Sequence, residues 1–273
     1  MIAALEPVHK PTRLEQLKKT VSATRLGLFL QCRLKFYFRY VQQIKKPVTA
    51  SLHAGSTAHA VLQQWNLSRW KREPFAVERF KTVFEQQWKD GQAGKFIRWE
   101  AEADDRSSSW AALEHYFIET PIKQDERPEA VEVSAEANLD HLGLPTLIGV
   151  LDLVRQGGKI VDFKLVGKSP DPKQAEHIYE VQLTAYSVLY RDATGKQESG
   201  MELHHLVRTK QPKFILTPMP PATQQKHDRL YRLMDAYQQG LDREDFVPSP
   251  SFACAGCEFF HECRRWGGKA SHA

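Results

Sequence analysis

No stretch of this sequence approaches the roughly 18 consecutive apolar residues that would span a bilayer. Its opening residues, MIAALEPVHKPTRLEQLKK, hold no apolar run of the signal-peptide type. A cytoplasmic location is therefore expected. There is no Gly-x4-Gly-Lys-Ser/Thr motif, so the chain carries no P-loop motor. There is no internal repeat and no low-complexity tract. Acidic residues are scarce near the start, where residues 1–50 hold ten Lys or Arg against only Glu6 and Glu15. That bias, with a net charge of +5, suits contact with phosphates, although a solvated helix surface accounts for it equally well. Cysteine is rare: Cys32, Cys254, Cys257 and Cys263 are the whole set. In a cytoplasmic chain the tight C-terminal trio points to a metal site rather than a disulfide framework.

What is present is ordinary for a globular protein, with 41% apolar and 26% charged residues in 273 positions. Apolar spacing predicts a helix over 22–41, another over 56–70, and helical patterns over 75–90 and 105–120. The period then changes. AVEVSAEANLD, LPTLIGVLDLV and KIVDFKLV are rich in β-branched residues and read as three strands, with Gly157-Gly158 marking a hairpin. A helix over 173–193, two strands in MELHHLVRTK and KFILTPM, and a helix over 223–241 follow. This order implies an α/β fold with a mixed sheet core flanked by helices, preceded by a helical region and followed by the cysteine cluster.

Within the hairpin, GVLDLV carries Asp152, while KIVDFK carries Asp162 and Lys164. Residues i and i+2 of a strand share a face, so Asp162 and Lys164 project together. A turn centred near Gly157 pairs 152 with 162. Two neighbouring carboxylates among apolar residues repel unless a proton or cation neutralises them. A hard divalent ion such as Mg²⁺ or Mn²⁺, which prefers oxygen ligands, does so.

These residues are similar to the core signature of the PD-(D/E)XK nuclease superfamily, and most of all to its RecB-like branch. GSTAHAVL resembles the branch's Gly-x-x-x-His helix and EVQLTAY its Gln-Leu-x-x-Tyr helix; TRLGLFLQCRLKFYFRYV resembles its opening helix. The resemblance implies a restriction-endonuclease-like core spanning 1–273 as one domain, with a helical insertion at 70–125. It implies Asp152, Asp162, Lys164, Gln182 and Tyr186 as catalytic residues. It implies His59, Asp152, Asp162 and the further acidic position Glu136 as ligands of Mg²⁺ or Mn²⁺. Arg33 stands where the branch usually has proline, and DFKLV where Asp-Tyr-Lys-Thr is commoner; neither change removes a catalytic group.

CAGCEFFHEC reads Cys-x2-Cys-x5-Cys, and Cys32 is the thiol left to complete a set of four. Zinc and iron–sulfur clusters both accept four thiolates, and spacing alone does not choose between them. The AddB-type and CRISPR-associated RecB-like nucleases place such cysteines around a 4Fe–4S cluster. The resemblance therefore implies Cys32, Cys254, Cys257 and Cys263 as its ligands, with zinc as the alternative and segment 250–266 closing onto Cys32. The helix following Cys32 alternates basic and aromatic residues, and Arg33, Lys35, Arg39 and Tyr40 are expected to contact nucleic acid.

The expected activity is metal-dependent hydrolysis of DNA in repair, recombination or defence, as an exonuclease rather than an endonuclease. Single-stranded DNA is the expected substrate, and a helicase or another repair or defence protein the expected partner. The alternative is a catalytically silent DNA-binding or structural subunit of a helicase–nuclease assembly.

Overall fold

The computed structural model describes residues 12–268; the outermost ends of the expected 1–273 domain lie outside them. In chain order the elements are α1 (Arg13–Lys19), β1 (Thr20–Val21), α2 (Ala23–Gln31), α3 (Arg33–Phe36) with a π-helical turn at Tyr37–Val41, β2 (Val48–Thr49), α4 (Ala50–Trp70), α5 (Val77–Asp90), β3 (Ile97–Arg98), α6 (Glu102–Glu119), β4 (Ala130–Ala137), β5 (Thr146–Arg155), β6 (Lys159–Val166), α7 (Pro172–Thr194), β7 (Gly200–Val207), β8 (Lys213–Met219), α8 (Gln224–Asp242) and α9 (Phe260–Arg265). Among the described residues no helix is long and apolar enough to cross a membrane.

The chain forms two compact units. One comprises residues 46–137 and 149–230; the other comprises residues up to 45, 138–148, and 231 onward. In the first of these, β5, β6, β7 and β8 are neighbours in that order, and β4 joins through β5. β5–β6 and β7–β8 are antiparallel, whereas β6–β7, joined through α7, is parallel. This is the mixed sheet that the element order implied, of restriction-endonuclease type. Gly157 and Gly158 both adopt positive φ, 84° and 74°, and turn the β5–β6 hairpin as their lack of a Cβ permits.

The stretch 70–125, expected as a helical insertion, holds α5, β3 and α6, whose large side chains pack into the core. Its Phe80, Phe84, Trp88, Trp110, Leu113 and Tyr116 join Ala58, Leu62 and Trp65 of α4 and Leu153, Val161 and Phe163 of the sheet in one apolar cluster. Side chains this large, fully buried, each contribute on the order of 2–3 kcal/mol. Helix α4 begins at Ala50, six residues before the sequence pattern suggests, because Thr49 caps it by accepting from Leu52 N at 3.2 Å.

In the other unit, β1 pairs in parallel with the opening residues of β5, Thr20 with Thr146. Phe29, Phe36 and Tyr237 pack edge to face. The helix expected over 22–41 is broken. Cys32 is extended, with φ −163° and ψ 110°; it ends α2 and starts α3. Apolar spacing cannot reveal a single extended residue, since the periodicity resumes directly after it.

Candidate active site and cysteine cavity

The ladder between β5 and β6 runs from Arg155–Lys159 to Leu153–Val161. The next positions in register are Asp152 and Asp162, as the hairpin spacing predicts, and there the ladder stops. Asp152 Oδ2 instead accepts the backbone N–H of Phe163 at 3.0 Å. The carboxylate thus replaces a strand partner and is held almost fully buried.

His59 projects from α4 toward it, with Nδ1 3.4 Å from Asp152 Oδ2 and 4.0 Å from Glu132 Oε1. Ligand atoms of His59, Glu132 and Asp152 lie within 4.8 Å of one another, the one such trio among the described residues. The β4 carboxylate in this group is Glu132, not the expected Glu136, which is exposed. Glu132 adopts φ 48° inside a strand. That left-handed conformation costs a non-glycine residue about 1–2 kcal/mol, and strain of this kind concentrates at functional positions.

Asp162 lies beside the trio rather than within it. Its Oδ1 accepts from Gln182 Nε2 at 2.9 Å, and its Oδ2 sits 2.7 Å from Lys164 Nζ. Gln182 donates its second amide hydrogen to Tyr186 Oη at 2.7 Å. Gln182 therefore supports Asp162. Lys164 also meets Tyr179, whose ring centroid is 5.1 Å from Nζ. Tyr179 precedes Gln182 by three residues and Tyr186 by seven, so all three share one face of α7; that spacing is the signal that could have identified it.

The electrostatics are those of negative charge short of a counter-ion. Burial, then Asp162, push the Asp152 carboxyl up to about 6. Burial, then Asp152, push Glu132 up to about 7. Burial alone would lower the Lys164 ammonium, but its pairing with Asp162 outweighs this and raises it. Tyr186 is held well above the usual phenol range by burial and then by Asp162.

One imidazole and two carboxylates within 4.8 Å, with Asp162 adjoining, make a donor set that fits a hard divalent cation. A carboxylate raised in the folded state binds protons more tightly there than in the unfolded chain. Its stabilising contribution is complete at low pH and is lost as pH rises through about 6 and 7. A cation competes with those protons. The rise in melting temperature caused by Mn²⁺, relative to EDTA, should therefore grow steadily from about pH 5 to pH 8. Buried His204 and His205, lowered by desolvation, titrate with the opposite sign; the difference between the two conditions removes their contribution. Glu132→Gln should flatten the curve, and an increment independent of pH in the native protein would contradict this account.

In the other unit all four cysteines are free thiols that line one cavity of about 50 Å³, with Leu34, Phe38, Pro248, Pro250 and Phe259. Burial, then the other three thiols, raise Cys263. The expected nucleic-acid contacts beside them are already paired. Arg33 bonds Asp245, Lys35 Nζ lies 3.1 Å from Glu258, Arg39 bonds Glu258, and the Tyr40 ring packs on Phe36 at 5.1 Å.

The profile of the PD-(D/E)XK nuclease superfamily matches residues 20–264. No curated protein matches the chain. Among solved structures, a candidate exonuclease from Eubacterium rectale is similar over 95% of this chain and 92% of its own, with 12% identity and a TM-score of 0.62. SSO0001, at 13% identity, covers 91% of this chain and 97% of its own with a TM-score of 0.36, too low to argue from.

Proposed function

Because the chain belongs to the PD-(D/E)XK nuclease superfamily, we propose that it is a divalent-metal-dependent deoxyribonuclease that works from strand ends and takes single strands in preference to duplex. The observation that carries this reading is the trio His59, Glu132 and Asp152 with the Asp162–Lys164 pair beside it. These four anionic and imidazole groups would hold Mg²⁺ or Mn²⁺. When bound, such an ion offsets charge building on the scissile phosphate and makes water a better nucleophile.

The chain's own groups do the rest. Lys164, kept protonated by Asp162, presents its ammonium to a phosphate oxygen or to the attacking water. Gln182 fixes the Asp162 carboxylate through Oδ1, and Tyr186 anchors Gln182. Tyr179 limits the positions open to the Lys164 side chain. The set is intact, which favours an enzyme over a silent binding module.

The same reading extends to the cysteines, which we assign to a 4Fe–4S cluster. Cys32, Cys254, Cys257 and Cys263 line one cavity, and such a cluster accepts a set of four thiolates. Arg33, Lys35, Arg39 and Tyr40 would reach DNA by exchanging their Asp245 and Glu258 partners for phosphates. The profile match runs across both units, which supports a single nuclease domain interrupted at 70–125. From the resemblance to RecB-like nucleases, a helicase in a cytoplasmic repair or defence assembly is the partner we infer.

The test is digestion of end-labelled linear and covalently closed circular single-stranded DNA with Mn²⁺. Linear DNA should shorten from an end while circles survive. Circles cut at the same rate would make the protein an endonuclease. Tight binding without cutting of either would make it a binding module.

A further inference from the structure

Phe96 is 75% exposed and Leu52 is 61% exposed, yet neither sits on a free loop. The carbonyl of Phe96 accepts from Val48 N at 3.0 Å, and the next residue, Ile97, is buried and pairs with Val48 in the parallel β2–β3 ladder. Phe96 and Arg98 flank Ile97 and project away from the core, as strand alternation requires. Thr49 pairs with Arg98 and caps the turn that carries Leu52. The backbone positions that carry an aromatic ring, an aliphatic side chain and a guanidinium are thus set along one rim, with Lys95 adjoining. None of the ion pairs among the described residues takes up Lys95 or Arg98.

This rim leads to the candidate active site. Leu52 precedes His59 by seven residues of α4, two turns on the same side of the helix, roughly 10 Å along its axis. Leu52 and Ser56 are exposed and His59 is half-buried, so this stripe of α4 is open.

An exposed aromatic ring on a backbone anchored by the β2–β3 ladder, beside two cations without carboxylate partners among the described residues, complements a polyanion whose bases show their faces. Duplex DNA hides those faces, whereas an unpaired strand offers them for stacking. We propose that the β2–β3 rim is a seat for single-stranded nucleic acid, in which a base stacks on Phe96 against Leu52 and the flanking phosphates meet Lys95 and Arg98. The strand would then run along the open stripe of α4 to His59. The inference rests on the nuclease reading for its direction and on the rim itself for its ligand.

The test is binding of the full chain, in EDTA to prevent cutting, to a fluorescent oligothymidine about 15 nucleotides long and to a blunt DNA hairpin. Phe96→Ala should weaken strand binding roughly tenfold, since stacking on one aromatic residue supports a five- to hundredfold effect, with hairpin binding changed by less than about twofold. Phe96→Trp should restore it. Lys95→Ala with Arg98→Ala should flatten the slope of log affinity against log salt by about 1.4, two contacts at roughly 0.7 each. Phe96→Ala and Phe96→Trp that both bind the strand like the native chain overturn the proposal. So does equal weakening on strand and hairpin, or a change confined to self-association, which would assign the rim to protein contact. If the binding losses appear while the native chain cuts nothing with Mn²⁺, the rim stands and the nuclease reading falls.

Discussion

Asp162→Asn and Lys164→Ala should each lower the rate of DNA cleavage by about a thousandfold, the scale of losing a charged group from a preorganised transition-state site, and they should do so for separable reasons. Asp162 is almost fully buried and interacts with Asp152 as a like charge. Replacing it by asparagine keeps the volume and removes that repulsion, but it also leaves the half-buried Lys164 ammonium without its carboxylate, so the metal-free protein should melt somewhat below the native one at pH 8. The increment in melting temperature caused by Mn²⁺ should shrink, because one oxygen anion of the set is lost. Lys164→Ala leaves the anionic groups in place and removes the cation beside them. Its Mn²⁺ increment should persist or grow while cleavage is lost. Calorimetry with and without Mn²⁺, beside single-turnover cleavage, distinguishes the two. Equal loss of the Mn²⁺ increment in both variants would refute the division of roles between ligand and ammonium.

The second large effect is expected at the cysteines. Protein purified without oxygen should be brown, with broad absorbance near about 400 nm from sulfur-to-iron charge transfer, and Cys257→Ala should bleach it. A cluster joining Cys32 to Cys263 closes a loop of roughly 230 residues, and loop-closure entropy for such a length supports a stabilisation of about 5 kcal/mol. Cys257→Ala should therefore lower solubility and melting temperature before it alters the chemistry. The Asp162–Lys164 pair lies far from it in sequence and in the other compact unit. Metal analysis checks the ligand identity: a colourless preparation with one zinc per chain would reverse the assignment. A Cys257→Ala variant that melts normally and loses only cleavage would remove the staple account.

Much of the site was legible in the chain itself. The hairpin register that sets Asp152 level with Asp162 follows from the Gly157-Gly158 turn and strand alternation, and the structure keeps it. The four-residue step from Gln182 to Tyr186 put both on one face of α7, where the two now share a hydrogen bond. What local pattern carried poorly was anything depending on one exceptional residue. Glu132 was missed because the resemblance pointed to Glu136 on the same strand, and only the fold shows which of the two carboxylates meets His59. The interruption at Cys32 was missed because apolar spacing resumes at once on its far side.

The chain by itself determined the α/β order of elements, the acidic hairpin with its lysine, and the spacing of the thiols, since each depends on residues a few positions apart and on fixed helix and strand geometry. Only the tertiary structure decided that Glu132 completes the trio with His59 and Asp152, that Tyr179 faces Lys164, and that Arg33 and Arg39 are held by Asp245 and Glu258. Those partners are brought together by packing of segments up to 219 residues apart. Periodicity reports which way a side chain points, whereas the group it meets there is set by the burial of the whole core.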